Sequence, residues 1–198
     1  MTTILLLNGP PGSGKDMAAT FIRKDIGADK CVDHKTKRPL VDIFQAMFAL
    51  TDMQVHNMCE TPQKDVAQEM LGGITPRECL IDISERFIKP KYGERFLGET
   101  LARRINLSSG IFATVSDTGF TEEVYPLIKR FGHTNLFCIQ LLREGYSFEN
   151  DSRSYIDCDR LGIRSIRIDN RFELEMFRIQ IWRALKWIPL FQAKLEAL

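Results

Sequence analysis

The sequence has few of the features that mark membrane, secreted or metal-binding proteins. No apolar run reaches the roughly 18 residues that a membrane-spanning helix needs. The first residues also lack the basic start and the longer apolar stretch of a signal peptide. The five cysteines contain no C-x-x-C pair, and the three histidines are isolated. We therefore expect reduced thiols, no zinc site and a cytoplasmic location.

Positive and negative residues are nearly balanced in the sequence. Lysine and arginine together number 27 against 26 acidic residues, so the net charge is +1. No global attraction to nucleic acid or to a membrane is expected, and any site for an anionic substrate must be built locally. With 44% hydrophobic and 27% charged residues, the composition is typical of one globular domain spanning 1–198. The oligomeric state stays open, a homodimer included.

Strand-like and helical patterns alternate along the chain, which predicts an α/β fold with a central parallel sheet flanked by helices. The alternation of Arg164 and Arg167 in the last strand indicates a sheet edge. A capping box with Pro76 marks a helix start at Thr75, and residues 51–74 carry no clear pattern. Strands are predicted at 4–8, 31–32, 111–115, 135–142 and 163–168. The other helices are predicted at 15–26, 39–50, 92–105, 121–131 and 172–186.

The strongest motif runs from Gly9 to Lys15, reads Gly-Pro-Pro-Gly-Ser-Gly-Lys and matches G-x-x-x-x-G-K. It lies between a predicted strand and a predicted helix, which is the context in which this motif binds nucleotide phosphates. Glycines let successive backbone N–H groups point at one phosphate, and the helix N-terminus adds partial positive charge. We predict that ATP binds through Gly9, Gly12, Ser13, Gly14 and Lys15. The alternative is a glycine-rich turn without a ligand.

Two aspartates are candidate magnesium ligands. Asp16 stands where most loops of this type have Ser or Thr, and a carboxylate is a good hard-oxygen ligand for Mg²⁺. Alternatively, Asp16 only complements the helix dipole. Asp117 follows the predicted strand at 111–115, where loops line the ligand crevice of a parallel sheet. It binds the metal's water shell or the acceptor, or else it belongs to an ordinary Ser-Asp-Thr-Gly turn.

Two arginines are candidates for catalysis. Arg143 ends a predicted strand, and Arg153 lies in the polar segment that follows it. Both fit a lid at about 143–160 that closes on ATP and excludes water. Their charge would stabilise the phosphoryl group during transfer. The alternative for each is an ordinary surface arginine.

The acceptor is expected to bind in the region of about 31–106. Arg77 lies in the first turn of a predicted helix, where a cation is unfavourable unless an anion is nearby. We therefore predict that Arg77 binds the acceptor phosphate. Lys37 and Arg38, together with Lys35, form a basic cluster that lines the acceptor site or is a solvated turn.

These motifs, in this order, resemble the deoxynucleoside monophosphate kinases of tailed bacteriophages. The resemblance rests on the Gly-Lys-Asp ending of the glycine loop, on Thr75-Pro76-Arg77 and on the strand leading to Asp117-Thr118. The segment Ile168-Asp169-Asn170 before a helix is similar to the one near the adenine of ATP in P-loop nucleotide kinases. Adenylate kinases fit less well, because their Asp-Gly-x-Pro-Arg pattern is absent.

The resemblance implies a three-layer P-loop kinase fold and an enzyme that uses ATP and Mg²⁺ to phosphorylate a (deoxy)nucleoside monophosphate. It assigns Asn170 and the glycine loop to ATP, Asp16 and Asp117 to the metal or the acceptor, and Arg143 to the lid. A phage enzyme would work in the host cytoplasm with small-molecule nucleotides as its partners. Two other functions stay open: a P-loop kinase of another small phosphorylated metabolite, and a nucleotide-hydrolysing switch or assembly ATPase.

Overall fold

A computed structural model of the chain describes residues 2–108, 110–149, 151–171 and 173–188. The chain divides into two compact units, one formed by Met1–Thr36 with Gly98–Leu198 and the other by Lys37–Leu97. We call them the sheet unit and the helical unit. In the described part of the chain, none of the helices has the length and apolar character needed to cross a bilayer.

The sheet unit holds all five described strands, and every neighbouring pair is parallel. The strands are β1 Thr3–Asn8, β2 Cys31–His34, β3 Phe112–Thr118, β4 Leu136–Leu142 and β5 Arg164–Asp169, in the spatial order β2-β3-β1-β4-β5. β1 is therefore central, and the segment after it leaves the carboxyl edge of the sheet between two neighbouring strands. That edge is where parallel sheets bind their ligands.

Helices cover both faces of this sheet because the residues of the central strand alternate between two apolar cores. Leu5 and Leu7 face the helices α1 Lys15–Ile26 and α9 Leu174–Lys186. Ile4 and Leu6 face the helices α6 Phe96–Leu107 and α7 Thr121–Phe131. The predicted α/β fold with a parallel sheet between helical layers is confirmed.

The helical unit has its own apolar core, which includes Phe44, Val55, Cys79 and Ile83. Its helices are α2 Arg38–Met47, α3 Asp52–Glu60, α4 Pro76–Asp82 and α5 Lys89–Tyr92, with a π-helical turn at Ile83–Ile88 and 3₁₀ turns at Pro62–Asp65 and Glu69–Leu71. α8 Cys158–Leu161 lies in the sheet unit, at the end of the predicted lid segment. Each helix start at Thr51 and Thr75 has a complete capping box, as predicted for Thr75.

Three local predictions need correction or completion. Asp117 lies inside β3 and not in a turn after it, because the pairing of Asn8 with Thr118 carries the ladder to residue 118. The helix predicted at 92–105 begins only at Phe96, since Gly93 at φ +89° ends the preceding turn. Residues 51–74, which had no clear pattern, contain α3 and two 3₁₀ turns. The predicted helix start at Phe172 lies outside the described residues.

Candidate functional site

The glycine loop joins β1 to α1 and is shaped to receive an anion. Gly12 and Gly14 have positive φ angles of 78° and 100°, a conformation that glycine adopts easily and that is found in anion-binding turns of the backbone. Gly14 is the N-cap residue of α1, and no side chain caps the first turn of this helix. The hydroxyl of Ser13 is buried and has no hydrogen-bond partner in the structure. An orphaned hydroxyl beside a helix N-terminus without a side-chain cap fits a bound phosphate.

Lys15 is the first residue of α1, and its ammonium points back into this loop. Its Nζ donates hydrogen bonds to the carbonyl oxygens of Gly9 at 2.7 Å and Pro10 at 2.6 Å. The side chain is buried, and burial together with the nearby guanidinium of Arg153 lowers the pKa of Lys15 from 10.5 to about 8. The ammonium is thus held at the loop in an environment that favours a further negative charge.

Three aspartates surround Lys35 next to the loop. The Lys35 ammonium forms a salt bridge with Asp16 and lies 4.0 Å from Asp33. Asp117 accepts a hydrogen bond of 2.8 Å from the backbone N–H of Thr36. Burial lowers the pKa of Lys35, but Asp16 and the other two carboxylates outweigh it, so the net direction is upward. The structure therefore brings Asp16 and Asp117 together with Asp33, which the sequence reasoning missed.

Asp33 is fixed by polar side chains of the neighbouring strand. Its Oδ1 accepts hydrogen bonds from the hydroxyls of Thr114 at 2.7 Å and Ser116 at 3.3 Å. Burial raises the pKa of Asp33 against the opposing effect of the Thr114 bond. No signal in a single segment of sequence marks Asp33, because its partners come from β3 through the pairing of Asp33 with Thr114.

The described residues contain no group of three His, Cys, Asp or Glu side chains arranged to hold a metal ion. The carboxylates of Asp16 and Asp117 are nevertheless hard-oxygen donors beside a phosphate-binding loop. Mg²⁺ often uses one or two carboxylates and completes its shell with substrate phosphates and water. The residues present fit that mode of binding.

Arg143 and Tyr146 also contact the glycine loop, at Gly12. The Nη1 of Arg143 donates a 2.8 Å hydrogen bond to the carbonyl of Gly12, and its guanidinium lies 4.7 Å from the centre of the Tyr146 ring. A Cβ atom added at Gly12 would come within 2.2 Å of that ring. Tyr146 therefore covers the glycine loop, a contact that the sequence reasoning also missed.

Asn170 closes the loop near the start of α1. Its Nδ2 donates a 3.0 Å hydrogen bond to the carbonyl of Ser13, and its backbone N–H donates to Leu142 at 2.7 Å. A Cβ at Gly14 would lie 2.6 Å from the Asn170 amide nitrogen. Asn170 is thus placed at the loop, although its contact is with the loop backbone.

Arg153 is held by a two-pronged ion pair with Asp151. Its Nε and Nη2 donate to the two carboxylate oxygens at 2.9 and 2.6 Å. The next residue, Ser154, bonds through its N–H to the carbonyl of Gly119 and through its carbonyl to the Asn8 amide. The segment that carries Arg153 is therefore docked on the ends of β1 and β3.

The three predicted acceptor residues lie in the helical unit, and each has an acidic partner there. Arg77 pairs with Asp65 at 2.5 Å, Lys37 with Glu60 at 2.9 Å and Arg38 with Asp42 at 2.6 Å. All three pairs are at least partly exposed to solvent. Their role toward an acceptor stays a prediction.

The chain matches no protein-family model, and no curated protein sequence matches it. Solved structures with a similar backbone include a sugar kinase from Janibacter sp. HTCC2649, with 16% identity, 95% of both chains covered and a TM-score of 0.46. They also include a thymidylate kinase from Candida albicans, with 11% identity, 93% of this chain and 91% of that chain covered and a TM-score of 0.38. At these identities the similarity concerns the fold alone.

Proposed function

We propose that this protein is a kinase that transfers the γ-phosphoryl group of ATP to a small acceptor, and that the acceptor is a (deoxy)nucleoside monophosphate. The observation that carries the proposal is the loop from Gly9 to Lys15, with a helix N-terminus that no side chain caps, an ammonium held against the loop and the unpartnered hydroxyl of Ser13. These features suit a polyphosphate and have no evident role in packing.

Catalysis in this proposal consists of positioning and charge stabilisation. An oxygen of the acceptor phosphate attacks the γ-phosphorus, the bond from that phosphorus to the β–γ bridging oxygen breaks, and ADP leaves. Lys15 moves from its loop carbonyls to the β- and γ-phosphate oxygens. Arg143 and Arg153 neutralise charge that spreads over the transferring group. The fold needs no covalent intermediate for this reaction.

Magnesium bound with ATP would neutralise the phosphate oxygens and orient the γ-phosphoryl group. Asp16 and Asp117 are the residues that would hold it, directly or through water. The salt bridge between Asp16 and Lys35 must then open or widen, because the ammonium and the metal compete for the same carboxylate.

The choice of acceptor rests on the resemblance to phage deoxynucleoside monophosphate kinases and on the basic residues of the helical unit. Arg77 would bind the acceptor phosphate in exchange for Asp65, and Lys37 and Arg38 would line the site. An acceptor dianion offers each of them a stronger partner than an exposed carboxylate does.

A panel of acceptors tests the proposal. Purified protein, ATP and Mg²⁺ are incubated with each ribo- and deoxynucleoside monophosphate, with sugar phosphates and with no acceptor, and ADP is measured. We expect ADP only with one or more nucleoside monophosphates. ADP formed equally without an acceptor would contradict the kinase and favour a hydrolase, and ADP formed only with a sugar phosphate would overturn the choice of acceptor.

A further inference from the structure

The side chain of Arg153 occupies the space that a side chain at position 119 would need. A Cβ atom added at Gly119 would lie 2.6 Å from each of the Cβ, Cγ and Cδ atoms of Arg153. Real Cβ atoms do not approach other carbons so closely, so the stem of Arg153 lies directly on the bare backbone of Gly119. The backbone of Gly119 does not need glycine for its own conformation, since its φ lies outside the positive range. Glycine is required here for the close approach of another side chain.

Asp151 fixes the other end of the same side chain. Its carboxylate accepts both guanidinium hydrogen bonds from Arg153 and also the Arg153 backbone N–H at 3.0 Å. Such fork-like pairing restricts the direction of the guanidinium as well as its distance. The bond to Asp151 also raises the pKa of Arg153, so the guanidinium keeps its charge. Both the aliphatic part and the guanidinium of Arg153 are therefore immobilised.

The backbone beside Arg153 is tied to the strand that leads into the glycine loop. Asn8, the last residue of β1, donates from Nδ2 to the carbonyls of Ser154 and Thr118, both at 3.0 Å. Its Oδ1 accepts the N–H of Ile156 at 2.9 Å. These bonds are buried or partly buried, so water does not weaken them as it would at the surface. Because Gly9 follows Asn8 directly, Asn8 connects the segment that carries Arg153 to the start of the glycine loop.

We propose that Gly119 and Asp151 are positioning residues that hold Arg153 at the ends of β1 and β3 before any nucleotide binds, so that Arg153 is a fixed catalytic cation and not part of a closing lid. This inference rests on the proposed function. Of the predicted lid, Arg143 and Tyr146 are the residues that contact the glycine loop itself. Preorganised charge needs no rearrangement at the moment of transfer, which is where electrostatic catalysis gains most.

The hydrogen bond from Nε of Arg153 to Asp151 provides a readout that does not depend on catalysis. The Nε–H of an arginine held in such a pair is protected from exchange with water and gives its own ¹H–¹⁵N NMR signal. A variant that releases the guanidinium should therefore broaden or shift this signal. A variant that leaves Arg153 in place should not.

The experiment compares Gly119→Ala, Asp151→Asn and Arg153→Met with wild type and with Asp159→Asn, an exposed aspartate of the same segment. The Nε–H signal of Arg153, assigned by its loss in Arg153→Met, is followed by ¹H–¹⁵N NMR, and kcat and both KM values are measured with the best acceptor. We expect kcat to fall about 10- to 100-fold in the two positioning variants and about 1000-fold in Arg153→Met. The KM of ATP should change little, the Nε–H signal of Arg153 should broaden or shift in both positioning variants, and Asp159→Asn should match wild type.

A normal kcat in both positioning variants would overturn the proposal, and so would a reduced kcat with an unchanged Nε–H signal of Arg153. If Gly119→Ala does not fold, Asp151→Asn alone decides, since Asn keeps the size of the side chain. Absence of phosphoryl transfer by the wild type to every acceptor would contradict the proposed function instead. The Nε–H signal of Arg153 would still report whether Gly119 and Asp151 hold its guanidinium in place.

Discussion

Replacing Lys15 by methionine should change how the stability of the protein depends on pH. The unfolded chain keeps the lysine proton up to about pH 10.5, whereas the folded protein releases it near pH 8. Between these values the unfolded state binds more protons, so the stability of the wild type rises with pH in that window. Below about pH 8 the charged ammonium is bound in both states, and its burial then opposes folding by a constant amount.

The size of the effect follows from the same pKa values. The fall from 10.5 to about 8 corresponds to at most about 3.4 kcal/mol, at about 1.36 kcal/mol for each pKa unit. Water that reaches the loop screens the charge, so we expect about 1–2 kcal/mol in practice. Lys15→Met lacks the titrating group. Between pH 8 and pH 10.5 the free energy of unfolding of the wild type should therefore increase by this amount relative to that of Lys15→Met.

Urea unfolding of nucleotide-free protein at several pH values between 7 and 10.5 measures this difference. All other titratable groups are present in both proteins and cancel in the comparison. Lys24→Met, which removes an exposed lysine of the same helix, serves as the matched control and should run parallel to wild type. Parallel curves for Lys15→Met as well would refute the placement of a buried ammonium in the glycine loop.

Three further changes test the site. Gly12→Ala should raise the KM of ATP at least about tenfold and lower the free energy of unfolding by about 1–2 kcal/mol, because alanine is strained at φ +78° and its Cβ meets Tyr146. ATP titration and thermal unfolding measure these effects, and wild-type values would contradict the prediction. Asp16→Ala should raise the Mg²⁺ concentration for half-maximal rate, and Asp16→Ser should partly restore it; a magnesium titration with an unchanged midpoint would leave Asp16 with only its helix-dipole and Lys35 contacts. Arg77→Ala should raise the KM of the acceptor and leave that of ATP unchanged, with less than about 1 kcal/mol of stability lost because its pair with Asp65 is exposed. Steady-state kinetics that show a higher KM for ATP instead would mean that Arg77 serves the other substrate.

The sequence was sufficient where the signal is local. The glycine loop, the strand before it and the helix after it are specified by consecutive residues, and so is the capping box at Thr75. The edge position of β5 followed from its alternating arginines. The glycine loop and the capping box depend on contacts between residues only a few positions apart, and the polarity of β5 can be seen in its own residues.

The parts that could not be predicted depend on contacts between distant segments. Asp33 acquires its partners only when β2 pairs with β3, 81 residues further along the chain. The docking of Ser154 on Asn8 joins residues 146 apart. Likewise, Asp117 was expected after its strand because the ladder that extends β3 is set by its pairing with Asn8. Register and docking of this kind are properties of the packed fold, and no single segment encodes them.

The fate of the γ-phosphate tests the central claim most directly. Wild-type protein and Lys15→Met are incubated with γ-³²P-labelled ATP, Mg²⁺ and the monophosphate that gives most ADP in the acceptor panel, and the products are separated. The proposed function predicts label in the nucleoside diphosphate, one equivalent for each ADP formed, and almost none with Lys15→Met. Label released only as inorganic phosphate, or equal transfer by Lys15→Met, would contradict it.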